Sequence, residues 1–147
     1  MYQKILVPLD GSKLAECALP HAESLAQMYR STLVLLSVIS PAALVGRAPA
    51  DMQVFQESME ARRDEAEAYL KGLKGEFTEK NITTEIHVGI EPVVGEIIDT
   101  ADKHDVDLVL ITSHGRSGLE RVFFGSVASG VLNRIERPLM VIHPPGR

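Results

Sequence analysis

Residues 112–126, TSHGRSGLERVFFGS, hold the densest set of groups able to do chemistry. Glycines at 115, 118 and 125 and a serine at 126 follow directly on an apolar run. Gly115 and Gly118 let backbone approach a ligand closely, or adopt positive φ that other residues resist. The Gly125-Ser126 step stands where a helix is expected to open. Unpaired amides and the dipole at a helix start favour a phosphate. The Ser126 hydroxyl adds a donor or caps the helix. A second stretch, Pro8-Leu9-Asp10-Gly11-Ser12, follows another apolar run. Its Asp10 carboxylate can accept from a ribose hydroxyl or an adenine amino group, and can equally cap the next helix. These stretches read as backbone cradles for the ribose and phosphates of a nucleotide. The glycines are also ordinary turn formers, and that reading stays open.

The residues around them supply few catalysts. Arg116 and Arg121 flank the loop, where each either meets a phosphate or stays solvated. Phe123 and Phe124 are expected to anchor the loop on the core. No carboxylate is locally spaced to orient the His114 imidazole as a base. No GxxxxGK[ST] occurs, so a phosphate-binding P-loop lysine is excluded. No GxGxxG follows the first apolar run, and a G-x-S-x-G elbow is missing. The five histidines lack metal-ligand spacing. Cys17 falls inside a helical pattern and reads as a small buried hydrophobe rather than a nucleophile.

Composition narrows the class further. The chain has 147 residues, 45% hydrophobic and 24% charged, which suits one ordinary globular domain over 1–147. A formal net charge of -5 argues against a nucleic-acid grip, which needs a basic face. A lone cysteine forbids a disulfide within the monomer and suits a reducing compartment. MYQKILVPLD reaches a proline and an acid too soon for a signal peptide. The longest apolar stretch, LVLLSVISPAALVG, falls short of the ~20 residues of a membrane span. A cytoplasmic protein with no membrane attachment is expected.

The elements that must position these groups follow from periodicity. Five apolar runs read as strands: KILVPL (4–9), TLVLLSVI (32–39), TTEIHV (83–88), DLVLIT (107–112) and PLMVIH (138–143). Four are nearly continuous, as in strands covered on both faces. TTEIHV alternates and is expected at a sheet edge. Between the first two runs, Ala15, Ala18, Leu19, Ala22, Leu25, Ala26 and Tyr29 mark one buried helix face, with Ser12 as its cap. Residues 53–80 form a long charged helix in which Glu67 and Lys71 are spaced to pair. Pro92 opens a third helix, with Val93, Val94, Ile97, Ile98 and Ala101 as its stripe. A fourth starts near Ser126 and is expected to bury Val127, Val131, Leu132 and Ile135. Residues 40–52 read as a loop able to cover a ligand. This β-α alternation predicts a single α/β domain, a doubly wound five-stranded parallel sheet flanked by four helices. Ligands of such sheets bind beyond the carboxyl ends of the strands.

In this order the residues resemble a universal stress protein of the nucleotide-binding kind, over essentially the whole chain. KILVPLDGS resembles that family's first strand and its proline-x-aspartate turn. LVLLSVIS resembles its second strand, with Ser37 where a histidine is common, and GIEPVVGEII resembles the turn and helix before the fourth. The family's ATP-binding pattern is glycine, two residues, glycine, nine residues, glycine, then serine or threonine. Gly115, Gly125 and Ser126 fit it; Thr112 stands in place of the first glycine, where its Cβ would crowd the nucleotide or shift the loop. The resemblance implies a Rossmann-like strand order of 3-2-1-4-5. It implies ATP, with Mg²⁺ arriving on the phosphates and steadied by Asp10. Pro8, Leu9, Asp10 and Val38 would surround adenine and ribose, with Ile111 and Thr112 beside them. Gly115 and Arg116 would lie near the ribose and phosphates, and Gly125, Ser126, Val127 and Ala128 would donate to the phosphates. A homodimer through strand 138–143 is also implied, and an apolar edge strand invites such pairing.

The resulting expectation is an ATP-binding regulator or sensor with slow or no hydrolysis and an unidentified protein partner. ATP would bias the dimer surface by selecting one arrangement of residues 40–52 and 112–125. Two alternatives stand beside it: a nucleotide-independent dimeric interaction or chaperone-like module with its site closed by Thr112, and a hydrolase or AMP-forming enzyme on the same scaffold.

Overall fold

Successive strand residues are buried on opposite faces of the sheet, and this dictates where the helices lie. A computed structural model describes residues 1–41, 52–114 and 125–145. Its five strands are β1 (Lys4–Pro8), β2 (Thr32–Ile39), β3 (Thr84–Ile90), β4 (Leu108–Thr112) and β5 (Leu139–Ile142), and every pairing is parallel. Ile5, Val7, Leu33, Leu35, Leu108 and Leu110 face one side, packed with Ala15, Ala18, Ala22, Ala26, Leu70 and Phe77. Leu6, Val34, Leu36, Val109 and Ile111 face the other, packed with Ile97, Ala101 and Val131. The first side is covered by α1 (Lys13–Glu16), α2 (Leu19–Tyr29) and α3 (Met52–Glu79), the second by α4 (Val93–Lys103) and α5 (Ser126–Arg134). Two apolar faces leave room for few polar residues within the central strands, which explains their continuous runs.

The strand order is β3-β2-β1-β4-β5, as expected. The chain steps one way from β1 to β3, then returns past β1 to β4 and β5. Keeping each crossover right-handed while reversing direction requires α4 and α5 to lie on the opposite face from α1–α3. β3 is an edge strand, as its alternation predicted.

Four local expectations are corrected. The first helix is broken into α1 and α2 between Glu16 and Leu19, because Pro20 has no N–H to give to the carbonyl four residues back. The chain crosses the break with tighter bonds, from Cys17 N–H to Leu14 O and from Ala18 N–H to Ala15 O, both 3.2 Å. The apolar stripe continues through, so periodicity alone conceals the break. Pro92 is the N-cap rather than the first residue of α4. Cys17 is half-buried rather than buried. Leu132 is 50% exposed, since it lies about 100° round the helix from buried Val131. The Glu67–Lys71 pair forms, at 3.6 Å. The loop expected over 40–52 falls largely on 42–51, outside the described residues.

Candidate functional site

The switch in strand order falls between β1 and β4, so the crevice for a ligand opens beyond the carboxyl ends of those two strands. β1 ends at Pro8, paired with Leu36 of β2. Leu9 extends the pairing, its N–H donating to Leu36 O at 2.8 Å while its side chain is buried. The chain then turns sharply. Gly11 has φ of 84°, in the left-handed region that a glycine enters without strain. Asp10 Oδ1 accepts from the Ser12 N–H at 2.9 Å and from the Ser12 hydroxyl at 2.5 Å. Ser12 Oγ in turn accepts from Ala15 N–H at 3.1 Å and caps α1. Of the two roles foreseen for Asp10, the structure shows capping, indirectly: the carboxylate supports the cap through Ser12 at the end of the strand. Val38 is half-buried near the end of β2, opposite Gly89.

β4 ends in Ile111 and Thr112, both buried. Thr112 does not stand out into the crevice. It is 6% exposed, and its hydroxyl donates to His114 O at 2.7 Å. Ser113 N–H donates to Ile142 O at 2.8 Å, which extends the ladder to β5, and Ser113 O accepts from Gly125 N–H at 2.5 Å. A Cβ on Gly125 would lie 3.0 Å from that same carbonyl. Glycine is thus needed at 125 for close approach to β4, and its amide is engaged within the protein. Ser113 was not anticipated; nothing in its type or spacing marks it, because its role is played by backbone.

α5 opens at Ser126 with Gly125 as N-cap and no side-chain cap. Ser129 N–H closes the first turn on Gly125 O at 2.9 Å. The amides of Ser126, Val127 and Ala128 have no acceptor among the described residues. Three donors and the positive end of the helix dipole can receive an anion there. Gly115 and Arg116, with Gly118, Arg121, Phe123 and Phe124, lie outside the described residues. Of the predicted site, the strand ends of β1, β2 and β4 and the start of α5 all come to one end of the sheet.

These features define a Rossmann-like, doubly wound α/β domain whose switch point is flanked by an acidic turn and an open helix start. The chain belongs to the universal stress protein family, whose model matches residues 1–143. Universal stress protein MJ0531 of Methanocaldococcus jannaschii is 30% identical over 146 residues, 99% of this chain and 84% of that protein. The solved structure of MJ0577, from the same organism, superposes with a TM-score of 0.88 at 25% identity, covering 100% of this chain and 99% of the other. A universal stress protein solved in complex with cAMP shares the fold, with a TM-score of 0.62 at 20% identity, 98% of each chain being covered. Among the described residues no helix is long and apolar enough to cross a membrane.

Proposed function

We propose that this protein binds ATP beyond the carboxyl ends of β1 and β4 and acts as a nucleotide-dependent regulator. The observation that carries this reading is the start of α5, where the Ser126, Val127 and Ala128 amides have no acceptor among the described residues beside the switch point. Those amides would take the phosphates. Pro8, Leu9, Asp10, Val38, Ile111 and Thr112 would border adenine and ribose, and Gly115 and Arg116 the ribose and phosphates. Gly125 would serve by lacking a Cβ, since its amide already bonds Ser113 O. A bound Mg²⁺ would neutralise phosphate charge, and Asp10 would help hold it. A fold relative solved with cAMP supports the capacity of this architecture for an adenine nucleotide.

Hydrolysis would be slow, because the sequence has no P-loop lysine and locally spaces no carboxylate to orient a histidine as general base. A homodimer through β5 belongs to the same reading: all four of its aliphatic residues are only half-buried at a sheet edge. The protein would work in the cytoplasm through a protein partner.

Calorimetric titration of purified protein with ATP and with GTP tests the proposal, together with mass spectrometry of nucleotide released on denaturation. A saturable ATP heat weaker or missing with GTP is expected. No saturable heat with either, and no co-purified nucleotide, would refute it. The engaged Gly125 amide favours one alternative, a nucleotide-independent dimeric interaction module, and the same titration separates the two.

A further inference from the structure

Glu85 and His87 stand two apart on β3 and therefore point to the same face of the sheet. Register identifies that face: Glu85 lies opposite Val34 and His87 opposite Leu36, both of which pack in the α4–α5 layer. The chain returns to the same place at His104, the C-cap of α4. One ligand atom from each of the three residues lies within 4.8 Å of the others. Glu85 Oε2 is 3.8 Å from His87 Nε2 and 3.8 Å from His104 Nδ1, beyond hydrogen-bond reach of both. The two imidazole rings stand 4.1 Å apart, centroid to centroid.

One atom in the group has no structural explanation. His87 Nε2 is buried without a hydrogen-bond partner, the sole such side-chain atom among the described residues. A buried polar atom left unpaired costs stability, and proteins rarely keep one without a use. Two imidazoles and a carboxylate are the donor set of a divalent transition metal, in which zinc keeps a fourth position open.

We propose that Glu85, His87 and His104 form a binding site for a divalent first-row metal ion, zinc being the natural probe, at the junction of β3 and α4. Around tetrahedral zinc, ligand atoms sit ~3.4 Å apart, so the two 3.8 Å separations from Glu85 and the His87–His104 separation, within 4.8 Å, close by an inward adjustment of the side chains. Glu85 is 41% exposed at its side chain, which gives the ion a path from solvent and leaves room for water as fourth ligand. Burial first, then the facing His104, lowers the pKa of His87, which agrees with a neutral, ligating ring. The site lies toward the amino ends of the strands, at the opposite end of the sheet from the switch-point crevice, and shares no residue with the proposed nucleotide site. A bound ion would tie β3, which has a single strand neighbour, to the helix packed over it.

The test uses full-length, chelator-stripped protein titrated with Zn²⁺ against a chromophoric competitor, and with Co²⁺ in the visible range. One Zn²⁺ per chain is expected, with the strong d–d bands of four-coordinate Co²⁺. His87→Ala and His104→Ala should each weaken Zn²⁺ by more than ~10-fold, the least that loss of even an outer-sphere partner costs. His21→Ala and His143→Ala should leave it unchanged. Retained affinity in the first pair, loss confined to the second, or a weak octahedral Co²⁺ spectrum would each overturn the site. The cobalt spectrum is read on the unmodified chain, so a variant that fails to fold does not rescue the proposal.

Discussion

Thr112 replaces a glycine of the family's nucleotide pattern, and its geometry yields a prediction that departs from simple steric blockage. Its side chain is buried, and its hydroxyl bonds His114 O at 2.7 Å, so it fastens the turn after β4 rather than filling the crevice. Three substitutions separate the contributions. Thr112→Val keeps the bulk and removes the hydroxyl, which costs ~1 kcal/mol for one hydrogen bond. Thr112→Ser keeps the hydroxyl and removes one methyl, worth ~0.8 kcal/mol. Thr112→Gly loses the hydroxyl, the methyl and the Cβ and adds ~0.5–1 kcal/mol of backbone freedom, for a total of ~3 kcal/mol. In a domain of this size that lowers the melting temperature by roughly 10 °C.

Stability should be read from denaturant melts of nucleotide-free protein, and affinity from calorimetric titration with ATP. Thr112→Ser should keep wild-type affinity within about threefold, or ~0.7 kcal/mol. Thr112→Gly should bind no more tightly than wild type, because freeing the turn adds an ordering cost to binding. A gain of about tenfold or more in ATP affinity for Thr112→Gly would refute this account, as it would show that the threonine obstructs the site.

Further expectations rest on other contacts. Gly130→Ala should destabilise by ~1 kcal/mol or more: its Cβ would fall 2.7 Å from Val94 Cγ2, and overpacking outweighs the gain in helix propensity. Adding Val94→Ala should restore much of the loss in urea melts. Gly72→Ala and Gly75→Ala in α3, where an added Cβ meets nothing within 4 Å, should instead stabilise by ~0.5–1 kcal/mol each in the same assay. In metal-free protein, His87 is held below the ordinary imidazole range by burial, then by His104, with Lys103 adding to the effect and Glu85 opposing it. The unfolded chain then binds that proton more readily, so stability should fall as pH drops through about 6.5 toward the lowered folded value. His87→Gln should flatten that slope in melts across the range, and an unchanged slope would count against the assignment.

Sequence pattern reached the sheet because two-sided burial writes itself into composition. β1, β2 and β4 must be largely apolar when helices cover both faces, and β3, with Glu85 and His87 on one face, need not be. The same logic fails where two signals overlap. The α1–α2 break hides because Ala15, Ala18 and Ala22 keep helical spacing across Pro20, and a missing amide leaves no trace in apolar periodicity. Leu132 misleads for the converse reason, an apolar residue just off the stripe being indistinguishable by type from one on it.

The two candidate sites differ in the same way. Asp10, Gly125 and Ser126 were legible because a strand end and a helix start are punctuated by turn residues whose chemistry is local. The Ser113 carbonyl and the Thr112–His114 bond were not, since backbone partners carry no residue signature. Glu85, His87 and His104 escaped notice because metal-ligand spacing is judged along the chain, within one strand, turn or helix. Here the separation is a whole crossover, and only the parallel register of β3 on β2, with α4 folded back over the same face, closes it. A doubly wound fold returns the end of each crossover helix to the amino edge of the sheet that the preceding strand left. Donors gathered at that edge are therefore found by pairing strand starts with helix ends, a search that local spacing cannot make.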